Sequence, residues 1–243
     1  MTSASASPTI QESEQSGDLS SGIDWLLVLA LVAFAAVTVR SLLYTPIEVR
    51  QGIAQKIFYV HVPAAVISLY ISCIPSAIAS VMYLWLKDER LDRLAESLAE
   101  VGLVFLTMVL TSGPFWGKTT WGTWWQWDAR LTTTLFLWFV LVGYMVMRGA
   151  IEEAEARARL SAVLGTMIGL LVPFIHLTVY LFPTIHPAPV ILAPQKPQMS
   201  SEMLITLLSS FGAFVLLYAA LLRRRYRWAT ARDKQQQLEN QRS

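Results

Sequence analysis

Apolar residues fill six stretches of the chain, at roughly 25–44, 60–86, 96–115, 131–148, 161–182 and 203–222, and polar residues gather between them. A helix that crosses the hydrocarbon core of a bilayer needs about 20 mostly apolar residues. Each stretch approaches that length, so the pattern predicts an all-α membrane protein of six transmembrane helices with no soluble domain left over. KDERLDR at 87–93 and RGAIEEAEARAR at 148–159 read as short polar connections. In the second, Glu153/Arg157 and Glu155/Arg159 stand at i, i+4, which predicts a helix continued beyond the bilayer as a solvated face. Residues 1–23 are rich in Ser, Gln, Glu and Asp and carry no Lys or Arg, and therefore predict a disordered tail. They also lack the basic n-region of a secretory signal, so the first apolar run reads as a retained span. The expected organisation is a tail at 1–23, a membrane domain at 24–222 and a basic tail at 223–243.

Composition agrees: 54% of residues are hydrophobic and 15% charged, which excludes an ordinary soluble domain. The net charge of +2 gives no reason to expect nucleic acid as a partner. The lone cysteine, Cys73, lies inside an apolar run; this rules out an intramolecular disulfide and any cysteine-based metal or haem attachment motif. Charge placement says more than its sum. With six spans, the side holding both termini and the connections after spans two and four carries thirteen Lys and Arg against six on the other. Basic residues favour the cytoplasm, so both termini are expected inside.

That orientation brings three features to the outer face. SGPFWGKTTWGTWWQWDARLT, at 112–132, joins spans three and four; His61 opens span two; His186 follows span five. His176 lies ten residues before His186, roughly 15 Å of helix deeper. GPFWGKT is a near miss of a phosphate-binding loop, with three residues between its glycines where that loop needs four, and without the strand-to-helix context. The tryptophans are the stronger signal. Trp121, Trp124, Trp125 and Asp128 stand at i, i+3, i+4 and i+7, one face of a short amphipathic segment if it is helical. Two readings are open: an aromatic belt at the headgroup level, or a continuous π-surface for a flat ligand formed by Trp116, Trp121, Trp124, Trp125 and Trp127. Asp128 and Arg130 are placed to orient that segment. A flat ligand with an iron centre would also use histidine, since neutral imidazole is a common axial haem ligand. His61 sits in YVHVPAA at a helix start. His186 sits among prolines at 183, 187, 189, 194 and 197, which favour a restrained extended loop. His176 is either a polar contact between helices or part of the site. Lys56, Lys118 and Arg130 are cations on this side, available to carboxylates such as haem propionates or to snorkelling at the interface.

WGTWWQWDARLT with the upstream WGK closely resembles the tryptophan-rich signature of the haem-handling membrane proteins of cytochrome c biogenesis, in particular the CcmC or haem exporter protein C family. RQGIAQKIFYVHVPAA, the FIH and TIH histidines and the six-span length extend the resemblance over most of 45–190. It implies haem b held on the periplasmic face of the bacterial inner membrane, with His61 and His186 as axial ligands to the haem iron. Trp116, Trp121, Trp124, Trp125, Trp127 and Asp128 match the signature, and Lys56 holds a position where a basic residue contacts a propionate. The resemblance further implies delivery to the periplasmic haem chaperone CcmE, with the small membrane protein CcmD, the ATP-driven CcmA/CcmB complex and the lipid bilayer as partners. Such a protein presents haem and is not an enzyme. The rival expectations are a haem exporter or permease subunit that moves its cargo across the bilayer, and a haem lyase, for which the chain has no extra spans or docking domain.

Overall fold

Each of the six apolar runs becomes a helix in the computed structural model, which describes residues 23–186 and 199–242. The tail expected at 1–23 therefore lies outside the described residues except for Ile23, as do Lys196 and the prolines at 187, 189, 194 and 197. Helix α1 (Trp25–Tyr44) starts where the Asp24 carboxylate accepts from the Leu27 N–H and ends in a π-wound turn before Pro46. Helix α2 (Ile53–Leu86) opens with a 3₁₀ turn after Gly52, whose φ is +62°, and carries a π-wound stretch at Ile67–Cys73. Pro75 has no N–H to donate to Ile71 O one turn earlier. The Tyr218 hydroxyl, from the last helix, donates to that carbonyl instead at 3.1 Å.

Helix α3 (Glu89–Trp121) is capped by Asp88, with Glu89 and Asp92 in its first turn where the helix dipole favours them. It runs through Pro114 and Gly117 and stops at Gly122, whose φ of +78° is the left-handed turn that ends a helix. Helix α4 (Ala129–Ala150) is capped by Asp128, and α5 (Ala154–Leu181) by Glu153, whose two carboxylate oxygens accept from Glu155 and Ala156 N–H. Glu153 thus caps a new helix, and Arg157 donates to the Ile151 and Glu152 carbonyls. The expected continuous helix across 148–159 is broken at 151–153 and resumes at Ala154. Helix α6 (Ser201–Arg242) continues well past its apolar run, so 223–242 is helical.

Helix α2 lies at the centre and packs on α3, α5 and α6, while α1 lies against α6 and α4 against α5. Close approach uses small residues, as membrane helices do where no hydrophobic effect drives them together. A Cβ on Gly169 would stand 2.2 Å from Ala77 Cβ, and one on Gly165 2.3 Å from Ser80 Oγ. Ser72 and Ser76 of α2 donate to the Leu98 and Ala95 carbonyls of α3. Phe105, Leu137, Leu141, Ile168, Ile175 and Phe214 are fully buried between the helices, whereas Leu31, Val32, Phe136, Phe139, Val146 and Leu170 face outward where lipid would lie.

The two ends of the bundle differ. At the end where α3 begins, Arg148 pairs both nitrogens with Asp92 at 2.7 and 2.9 Å and reaches Glu96 at 3.1 Å. Arg232 forks onto both Glu96 oxygens at 2.9 Å, and Arg225 binds Glu96 and Glu100. This network ties α3, α4 and α6 together. Glu96 is about 38 Å of helix from Trp121, which marks the other end.

Candidate functional site

At that other end α2, α3, α4 and the segment after α5 bring together most of the residues the sequence singles out. His61 lies near the start of α2 and is 9% exposed. Its Nδ1 is 3.0 Å from Ser112 Oγ on α3, and its ring meets the Trp116 indole edge-on with centroids 5.6 Å apart. Trp116 is held on two further sides: Phe58 lies at 5.8 Å, and its Nε1–H donates to Gln51 Oε1 at 2.9 Å. His61 is near enough to His186 and Arg130 to interact with both electrostatically. His186, just beyond α5, stands 6.3 Å from the Trp121 ring.

The tryptophan segment is built differently from the helical face that the i, i+3, i+4, i+7 spacing suggests. Trp116 and Trp121 belong to α3 itself, because Gly117 lets the Trp121 ring fold back over the helix: a Cβ at 117 would stand 3.1 Å from Trp121 Cε3. From Gly122 to Asp128 the chain is non-helical and carries Trp124, Trp125 and Trp127 between α3 and α4. Trp125 and Trp127 pack edge-on at 5.8 Å, and Trp124 packs on Phe115 at 5.5 Å. Trp124 and Trp127 remain 54% and 77% exposed, which leaves the rim open.

Asp128 works with both carboxylate oxygens. One accepts from Leu131 N–H at 2.8 Å and caps α4; the other accepts from the Thr184 hydroxyl at 2.7 Å. Thr184 Oγ1 in turn accepts from the His186 N–H at 3.1 Å. Asp128 therefore ties the tryptophan segment to the backbone that carries His186. Between Asp128 and Arg130 there is no ion pair among the described residues.

The three cations separate. The Lys56 ammonium, buried, donates to the Thr45 and Pro46 carbonyls at the end of α1. Lys118 donates to Gly122 O and closes its own helix. Arg130 differs: its Nη1 is buried with no hydrogen-bond partner, as is Trp125 Nε1. Buried polar groups are nearly always paired, and Arg130 lies close enough to His61 for the two to interact electrostatically, so its unpartnered N–H is open to an acceptor there. His176 Nδ1 lies 2.8 Å from the Tyr70 hydroxyl and its ring rests against Tyr70 and Tyr180, which makes it a polar contact between α2 and α5. Among the described residues no three His, Cys, Asp or Glu side chains converge as a bare ion would require.

Sequence reasoning passed over Ser112, Gln51 and Thr184, each a polar side chain that holds a histidine or a tryptophan. Ser112 was the most visible, a hydroxyl at the end of a long apolar run.

Comparison with known proteins identifies the family. The family model described as "Heme exporter protein C" matches residues 9–241. The chain is 33% identical over 200 residues to Heme exporter protein C of Haemophilus influenzae, covering 82% of this chain and 80% of that one. It is 32% identical over 207 residues to Heme exporter protein C of Escherichia coli strain K12, covering 84% and 82%. A protein of Marchantia polymorpha named "Putative cytochrome c biosynthesis ccmC-like mitochondrial protein" is 34% identical over 197 residues, covering 81% and 80%. With a whole-chain family match and relatives above 30% identity over most of both lengths, the chain belongs to the CcmC, or haem exporter protein C, family.

Proposed function

We propose that the chain binds haem b where His61, Trp116, Trp121 and His186 meet, and presents it for transfer to a CcmE-type haem chaperone during cytochrome c biogenesis. A haem-handling role as a multi-pass inner-membrane protein accords with the family and with the six apolar helices. The observation that carries the finer reading is that His61, packed on Trp116, and His186, packed on Trp121, stand at one end of the bundle with Arg130, whose buried Nη1 has no hydrogen-bond partner, close to His61. Two imidazoles alone are too few for a bare ion, and suit an iron whose remaining ligands arrive with it. The orphaned guanidinium N–H suits a carboxylate of the same cargo.

The residues divide the work. His61 is fixed in a packed helix and hydrogen-bonded to Ser112, so it supplies a stationary ligand. His186 lies on a segment beyond α5, tied through Thr184 to Asp128, and supplies a ligand that can withdraw without disturbing the bundle. Trp116 and Trp121 wall the site, and Arg130 with Trp125 anchors the polar edge. The exposed Trp124 and Trp127 leave an edge that a partner can reach. Binding of this kind needs no nucleophile or general base, which favours delivery over catalysis. Lys56, turned toward the end of α1, contributes to the fold at that edge in this reading rather than to a propionate.

Charge asymmetry favours both termini in the cytoplasm and the site on the periplasmic side. CcmD and the CcmA/CcmB complex are the expected partners within the membrane. Among the described residues the buried charges are tied locally, Glu96 to Arg148 at the far end and Lys56 to the carbonyls that end α1, which favours presentation over transport by this chain alone. Co-purification with haem-loaded chaperone tests the proposal: Trp125→Ala should lower the recovered haem–chaperone complex several-fold, and unchanged recovery would count against the role given to that edge.

A further inference from the structure

We propose that Ser112 and Gly113 together form a seat that fixes His61 as its Nδ1–H tautomer and leaves Nε2 as the iron-binding atom; Ser112 is thus a positioning residue, and the inference rests on the haem-binding reading above. The Ser112 hydroxyl lies 2.6 Å from the Met108 carbonyl one turn earlier on α3, with Val109 O at 3.4 Å. A carbonyl can only accept, so the single hydroxyl hydrogen is spent on it. Toward His61 the Ser112 oxygen then has only lone pairs to offer, and the 3.0 Å contact requires a proton on Nδ1. In a neutral imidazole the other nitrogen must carry the lone pair. Metal-binding histidines are commonly oriented in this way, by a partner to the nitrogen that does not bind.

Gly113 supplies the clearance. A Cβ there would stand 3.2 Å from His61 Cε1 and 3.8 Å from Nδ1, so the imidazole lies edge-on against the bare backbone of α3. The Ser-Gly pair that begins the near-miss phosphate loop thereby acquires a role: hydroxyl and gap stand side by side opposite one histidine.

The tautomer can be read without any haem. The chain has three histidines, so nitrogen-15 histidine labelling of the detergent-solubilised protein gives three ring systems, which single substitutions assign. Wild type should show His61 protonated at Nδ1; Ser112→Ala should shift it toward the Nε2–H form, and Ser112→Thr, which keeps the hydroxyl, should restore it. Titration with haemin should show Ser112→Ala weakened by about 10–100-fold, the usual loss when an orienting partner of a metal-bound histidine is removed. Gly113→Ala should weaken haemin binding in the same direction. His61 still protonated at Nδ1 in Ser112→Ala, with haemin affinity unchanged, would overturn the inference. Unchanged haemin affinity in His61→Ala would instead overturn the haem-ligand reading, on which the tautomer measurement does not depend.

Discussion

Arg130 and Asp128 are neighbours in sequence with different tasks, and single substitutions should separate them. Arg130 has one buried N–H without a partner, and in the proposed complex it meets a carboxylate. A hydrogen bond to a charged group contributes about 1.5–3 kcal/mol, so Arg130→Gln should weaken haemin binding by roughly 10–100-fold while α4 stays folded by circular dichroism. Asp128→Asn should keep the Leu131 cap through its amide oxygen but present an NH₂ to Thr184. Haem retention should then fall while thermal stability changes by less than the roughly 1 kcal/mol expected for losing the cap altogether. Thr184→Val, which breaks the same tether from its other end, should reproduce the haem loss and leave the cap intact. His61, His186 and the tryptophans stand out in the sequence because the chain has only three histidines and because five indoles fall within twelve residues. Their partners were not legible: Gln51 lies 65 positions from Trp116, Ser112 51 from His61 and Thr184 56 from Asp128. An ordinary polar residue shows its role only after the helices pack.

At the scale of elements, periodicity located all six helices and both ends of the first, but misjudged other ends, because those are set by single residues instead of by hydrophobicity. Gly122 ends α3 at φ +78°, so Trp124 and Trp125 leave the helical face on which their spacing would put them. Gly122→Ala has open space for its Cβ and is penalised only through the backbone. It should lower stability by about 1 kcal/mol and, by disturbing the exit from α3, reduce haem retention. Gly169→Ala makes the opposite test. It meets Ala77 Cβ at 2.2 Å, far inside contact distance, and should force α2 and α5 apart at a cost of about 1–3 kcal/mol, read as a lower melting temperature in detergent. Helix α6 was underestimated for a related reason: its apolar run ends near Leu222, yet Arg225 and Arg232 continue the helix by docking on Glu96. A basic stretch that reads as a tail from its charges alone is held by carboxylates more than 120 positions away in sequence.

For the whole molecule, one end is clamped by charge and the other holds the aromatic site. Glu96 faces Arg148, Arg225 and Arg232 at once, and removing its charge strands buried guanidinium groups. Breaking a buried pair from one side costs about 3–5 kcal/mol. Glu96→Gln should therefore lower the melting temperature markedly while the protein that remains folded binds haemin with an unaltered spectrum, since the site lies at the opposite end. Haem ligation at that opposite end is read most directly from the Soret absorbance of protein purified with haem. His61→Ala and His186→Ala should each reduce it, and the double variant should lose it. A Soret band of wild-type intensity and position in the double variant would contradict the assignment of these two histidines as the haem ligands.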